Sequence, residues 1–263
     1  MSRNRTRHPF RAPRNWLLAM LVAGAGWPTL AGAETIAILS LVGDRLTIVS
    51  PAKQIGSHLD QNQYQVVKLA ETGFDDSAVR SAHAVITRAR PDVTLAPFRA
   101  RDPELYALRD AWLDADSVNV RALIALVAGS LPPDPDARLL LIAPYKAEIQ
   151  LKTERQYRGS GKVAGLGFYL DSTTRMERPD TLESGIGFLG VFANFQLLLI
   201  DLRTSAVEAH ERIVAGSTFP AAMAPDRTPW NALDSARKSA ELGALMDQEI
   251  ERVLPRMLRA SPK

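Results

Sequence analysis

The sequence predicts an α+β fold: a mostly antiparallel central sheet, a more α/β-like N-terminal half, and a long C-terminal helix packed on the sheet. Three observations carry this. Phe195 to Leu202 (FQLLLIDL) is apolar on both faces over Leu197 to Ile200, as a strand covered on both sides must be. A strand, helix, strand order between residues 34 and 98 marks a crossover unit. Leu242, Met246, Ile250, Val253 and Met257 recur every three or four residues, the stripe by which a helix lies on a sheet.

Ahead of the fold stands a predicted signal peptide, residues 1–33. Arg3, Arg5, Arg7, Arg11 and Arg14 come with no acidic residue, Trp16 to Ala25 is almost all apolar, and Ala31-Gly32-Ala33 has the small-residue spacing of a cleavage site. The twin-arginine pair is absent, which assigns the general export route. Cleavage after Ala33 predicts a periplasmic protein with no membrane span left. The alternative is an accessory protein anchored by Trp16 to Ala33, a stretch that Gly24, Gly26, Pro28 and Gly32 weaken as a spanning helix.

The leader also accounts for the basic balance. The whole chain has Lys+Arg 32 against Asp+Glu 29; without the leader's five arginines the remainder is 27 against 29. No excess of positive charge is left to recommend nucleic acid or an anionic membrane surface as a partner. Cysteine is absent, which excludes disulfides, thiolate metal sites, a cysteine nucleophile and a lipidated N-terminal cysteine. Residues 34–263 are long enough to bury a substantial core as a single α+β domain, with a soft internal boundary at residues 131–137.

Taken in order, Glu34 to Val42 predicts a buried strand that turns at Gly43-Asp44 into Leu46 to Val49 as a hairpin. Ser50 to Asn62 is polar, and Tyr64 to Leu69 is a short strand. Asp75 or Asp76 caps a helix that runs to Ala89, with Val79, Ala82, Val85 and Ile86 on one face, before Pro91 and a strand at Asp92 to Phe98. Helices follow over Asp102 to Leu113 and Ser117 to Gly129, the second with an apolar run assigned to the core. Leu131 to Asp136 (LPPDPD) is the sharpest break in the chain.

Beyond it Arg138 to Ile142 is a strand, and after Pro144 strict alternation sets Tyr145, Ala147, Ile149 and Leu151 against Lys146, Glu148, Gln150 and Lys152. Pro144 predicts an edge or a bulge, and Val163 to Asp171 pairs back. Ser172 to Gly190 is expected to be a long mobile connection. After the central strand, Arg203 to Ser205 turns the chain, and Ala206 to Ala215 returns with Val207, Ala209 and Ile213 inward and Glu208, His210 and Arg212 outward. Trp230 to Leu258 is the terminal helix, expected to bend or fray at Pro255.

Two motifs invite chemical readings that their residues refuse. Gly159-Ser160-Gly161-Lys162 has the end of a phosphate loop, but Gln156 and Val163 stand where that loop needs Gly and Ser or Thr. Gly43-Asp44-Arg45-Leu46 resembles the nucleophile block of GDSL-type hydrolases, with Arg45 in place of the serine. No two of His58, His83 and His210 stand at metal-ligand spacing. Asp201, beside Arg203, is assigned to a turn. No catalytic residue, metal ligand or cofactor-binding residue is therefore predicted, and no cofactor. Arg155, Tyr157, Arg158 and Lys162 gather positive charge and one ring at a hairpin tip, and these are the candidate contacts for a small anion or an acidic partner. The reading is an exported, non-catalytic binding or accessory factor of the cell envelope, serving an envelope protein or a small ligand. Its rival is an exported hydrolase of esters or cell-wall material built on His58 or His210.

Overall fold

The strand that decides the architecture is β1, Thr35–Ser40, whose six residues are all buried. The computed structural model describes residues 34–51, 62–69, 73–115, 117–134, 136–153, 156–178 and 180–260. The predicted leader, His58 and Arg155 lie outside the described residues. Ile36 and Ile38 face one apolar layer and Ala37 and Leu39 the other, so β1 needs cover on both sides. Helix α1 (Gly73–Ala89) gives that cover on one face, and α2 (Pro103–Ala115) and α3 (Val120–Val127) on the other.

Those crossovers make β1 parallel to both neighbours, β4 (Thr94–Pro97) and β5 (Arg138–Pro144), with Ile36 opposite Leu95 and Ile38 opposite Leu140. The hairpin expected from Glu34 to Val49 does not form. β2 (Arg45–Pro51) pairs instead with β3 (Asn62–Lys68), antiparallel, and with β9 (Lys162–Glu177), parallel. The reason is a contact distant in sequence: the Val42 and Gly43 amides donate to the Asp75 carboxylate, so the turn is tied to α1 and β2 is directed away from β1.

The sheet is consequently mixed, not mostly antiparallel as the sequence suggests. One path runs β3-β2-β9-β10-β11-β7-β8, with β10 at Ser184–Asp201, β11 at Val207–Pro220, β7 at Leu151–Lys152 and β8 at Tyr157–Arg158. β5 joins β10 and carries β1 and β4 with it, while β6 (Lys146–Glu148) pairs with β9. Along one edge β10 changes partner, pairing with β9 as far as Asn194 and with β5 from Phe195 onward. Tyr145 N donates to Asn194 O (3.0 Å) at this junction, where the chain after Pro144 leaves β10 for β9. The break between α3 and β5 joins strands of one sheet, since β5 is registered directly on β1.

β10 is the doubly covered centre that its apolar run demands. Leu197 and Leu199 pack with α1 and the terminal helix α4 (Ser235–Ala260), and Leu198 and Ile200 pack with α2 and α3; all four are buried. The Ser172 to Gly190 stretch is not a loose connection. β9 and β10 extend as a hairpin as far as Glu177 and Ser184, because Arg175, Met176 and Glu177 resume the ladder beyond a register shift at residues 172–174. α4 starts later than the periodicity implies. A 3-10 turn at Pro229–Ala232 precedes it, and Asp234 caps the helix by accepting from Arg237 N (2.8 Å). The helix then passes through Pro255 without a break, with Leu242, Met246, Ile250, Val253 and Met257 buried. Among the described residues no helix is long and apolar enough to cross a membrane.

Candidate functional site

In a sheet with helices on both faces, the carboxyl end of the strand where the crossovers diverge is the usual place for a ligand. Here that place, the end of β1, is filled. Asp75 is buried in the first turn of α1, and its Oδ1 accepts from Ser40 Oγ (2.6 Å), Val42 N (2.8 Å) and Gly43 N (3.0 Å). Tyr106 OH donates to its Oδ2 (3.2 Å). Burial outweighs these bonds and lifts the carboxyl above its ordinary value. A Cβ on Gly43 would collide with the Asp75 backbone nitrogen, so glycine is what lets the turn approach so closely.

Arg109 seals the rest. Only 2 % exposed, it donates to Leu41 O (2.9 Å), Asp44 (2.5 Å) and Asp110 (2.7 Å), and Arg45 bridges to Asp110 (2.8 Å). Burial would raise the Asp44 carboxyl, but the bonds from Arg109 and Arg45 prevail and hold it below the usual range. The space left beside Asp75 is about 10 Å³, at the lower limit for one water. This cluster is a strut between β1, α1 and α2.

An open cavity lies on the α2 and α3 side. A cavity of about 220 Å³ sits between the α2–α3 connection and the sheet, room for about seven water molecules at liquid density. Gln196 and Leu198, two residues apart on β10, share its floor, and β11 sets Arg212 and His210 opposite them. Val207 also lines it, against the inward place the alternation gives it. Leu199 pairs with Ala209 and Ile200 with Val207, so Glu208 is an extra residue, and this bulge turns Val207 to the His210 face. Tyr145 and Lys146 enter where the chain leaves β5, and Trp112, Leu113, Ser117 and Val118 form the wall from α2 to the start of α3.

Hydrogen bonds fix the polar groups. Gln196 Nε2 donates to Pro144 O (3.3 Å), and a carbonyl accepts only, so Gln196 Oε1 faces His210. His210 Nε2 lies 2.9 Å from that oxygen and therefore carries its proton. Burial first, and then the Arg212 charge, depress the imidazole below its ordinary value. The Arg212 guanidinium lies 4.8 Å over the Tyr145 ring, which fixes its position over the cavity wall. Trp112 is 5 % exposed, and its indole N–H finds no acceptor among the described residues. A buried donor without a partner costs about 1–3 kcal/mol, so native proteins keep few of them.

The residues singled out at the hairpin tip are placed elsewhere. Tyr157, 67 % exposed, and Arg158 form β8, whose partner is β7, and Lys162 opens β9 opposite Glu148 of β6. Arg158 lines a wide groove of about 750 Å³ with Lys152, Arg175 and Glu177; Tyr157 and Lys162 do not reach it. Glu177 offsets part of that positive charge. Asp201 is the turn residue expected, accepting from Arg203 N (2.8 Å) and Thr204 N (2.9 Å). His83 lies exposed on α1. The cavity residues Trp112, Tyr145, Lys146, Gln196 and Arg212 are not among the sequence candidates. One signal was there to read: Gln196 is an amide inside an apolar run, and buried amides need partners.

Fold and cavity together define an α+β protein with a mixed sheet and a small pre-formed pocket on one of its two covered faces. No family model matches the chain, and no curated protein does. Among solved structures it is similar to a putative neuraminyllactose-binding hemagglutinin homolog from Helicobacter pylori, at 8% identity over 88% of this chain and 84% of that one, TM-score 0.37. The hypothetical protein CT253 from Chlamydia trachomatis is similar at 11% identity over 87% of this chain and 100% of that one, TM-score 0.35. At such scores neither likeness bears on function.

Proposed function

We propose that the protein is an exported binding factor of the bacterial cell envelope, cut after Ala33, that holds a small ligand or partner without transforming it. The observation that carries this is the cavity beside Trp112: a pre-formed space in which Lys146 and Arg212 meet the hydrocarbon of Leu113, Val118, Leu198 and Val207. The composition of residues 1–33 supports export. His210 argues for binding over hydrolysis. It is oriented by the Gln196 amide, which is uncharged and gives the imidazolium of a general base less support than a carboxylate would.

Two measurements test the reading. Mass spectrometry of the exported protein is expected to find its N-terminus at Glu34; a chain that keeps residues 1–33 contradicts release from the membrane. A library of small anions, cations and neutral molecules is expected to contain members that raise the melting temperature of the wild type and fail on Val207→Trp, which fills the cavity mouth. A library without one such member contradicts the binding role.

A further inference from the structure

We propose that the cavity beside Trp112 is a site for a small organic carboxylate with a compact apolar body. The inference rests on the binding role above and names the class of ligand. Two cations, Lys146 and Arg212, line the cavity, and no carboxylate lines it. Neither cation makes a salt bridge among the described residues. Arg212 is positioned on the face of Tyr145, and a planar guanidinium takes a carboxylate through two parallel hydrogen bonds.

The donor inventory points the same way. The lining offers the donors of Lys146, Arg212 and Ser117, and a carboxylate is an acceptor with no N–H or O–H of its own to satisfy. An ammonium ligand would bring a third cation between Lys146 and Arg212. The other half of the wall is hydrocarbon, from Leu113, Val118, Leu198 and Val207, which rewards an apolar body over a bare inorganic anion. Pockets for drug-sized ligands run from about 300 Å³ upward. At about 220 Å³ this one fits something smaller than those and cannot enclose a polymer.

The test uses benzoate and its uncharged counterpart benzamide, titrated into the purified protein by calorimetry. Benzoate is expected to bind roughly tenfold more tightly than benzamide, since a charge-assisted pair is worth about one such factor. Arg212→Gln is expected to weaken benzoate by roughly tenfold and leave benzamide unchanged, at an unaltered melting temperature. Should Arg212→Gln fail to fold, Lys146→Gln on the exposed β6 strand reads the same preference. Equal affinity for both probes overturns the carboxylate and leaves the binding role standing. Absence of binding by either probe also overturns it, and the library with Val207→Trp then decides the binding role separately.

Discussion

Gln196 Oε1 lies 2.9 Å from His210 Nε2, across the β10–β11 ladder and two residues off the direct pairs Gln196–Arg212 and Leu198–His210. This diagonal contact is within reach on one sheet face. It assigns the imidazole tautomer from the sheet register: Pro144 O fixes the amide, the amide fixes the ring, and the ring turns Nδ1 away from Gln196.

Burial and the Arg212 charge both act on that ring. Its proton NMR titration is expected to have a midpoint below the ordinary histidine value of about 6.5. The groups around it are Arg212, Glu211, Lys146 and Tyr145, of which Arg212 depresses it and Glu211 raises it. Arg212→Gln therefore moves the midpoint up. Since the fold disfavours the protonated ring, the stability tied to His210 is complete above the ordinary value and is lost as pH falls through it. His210→Gln is expected to lack that acid-side loss in denaturant melts.

Asp75 has the opposite sign. Its carboxyl is raised, so the fold prefers it protonated, and the stability tied to it is present at low pH and lost as pH rises past the ordinary carboxylate value. Asp75→Asn keeps an oxygen for Ser40, Val42 and Gly43 and has nothing to ionise. The stability of this variant relative to wild type is expected to climb through that window and then level off. A flat difference would mean that the carboxylate is ionised in the fold at no cost.

Arg109→Met is expected to destabilise by about 3 kcal/mol in urea melts, because it leaves the Asp44 carboxylate half-buried without its bidentate partner. Arg88→Met breaks the exposed pair with Glu251 (3.0 Å) and is expected to change stability by less than about 1 kcal/mol.

Leu199→Ala, in the doubly covered part of β10, is expected to cost about 2–5 kcal/mol. A change under about 1 kcal/mol would mean that the strand is not the packed centre.

Much of this was legible where burial writes directly into composition. The run Leu197 to Ile200, the α4 stripe and the alternation from Tyr145 to Lys152 each state which faces are covered, and each face is where its pattern puts it. What escaped depends on contacts distant in sequence. That Val42 and Gly43 would spend their amides on Asp75, some thirty residues on, is invisible locally, so a turn signal passed for a hairpin. The bulge at Glu208 adds one residue and reverses the face of Val207 without marking the sequence. The cavity draws on α2, the α2–α3 connection, β10, β11 and the chain after β5, and no local pattern joins these. The cations Lys146 and Arg212, which line this cavity together, stand far apart in sequence.

The indole N–H resonance of Trp112 during titration with benzoate is the most direct test of the account. It is expected to move and saturate while that of Trp230, which packs edge-on to Phe168 away from the cavity, holds still. A Trp112 signal unmoved at concentrations that saturate the protein would contradict the site.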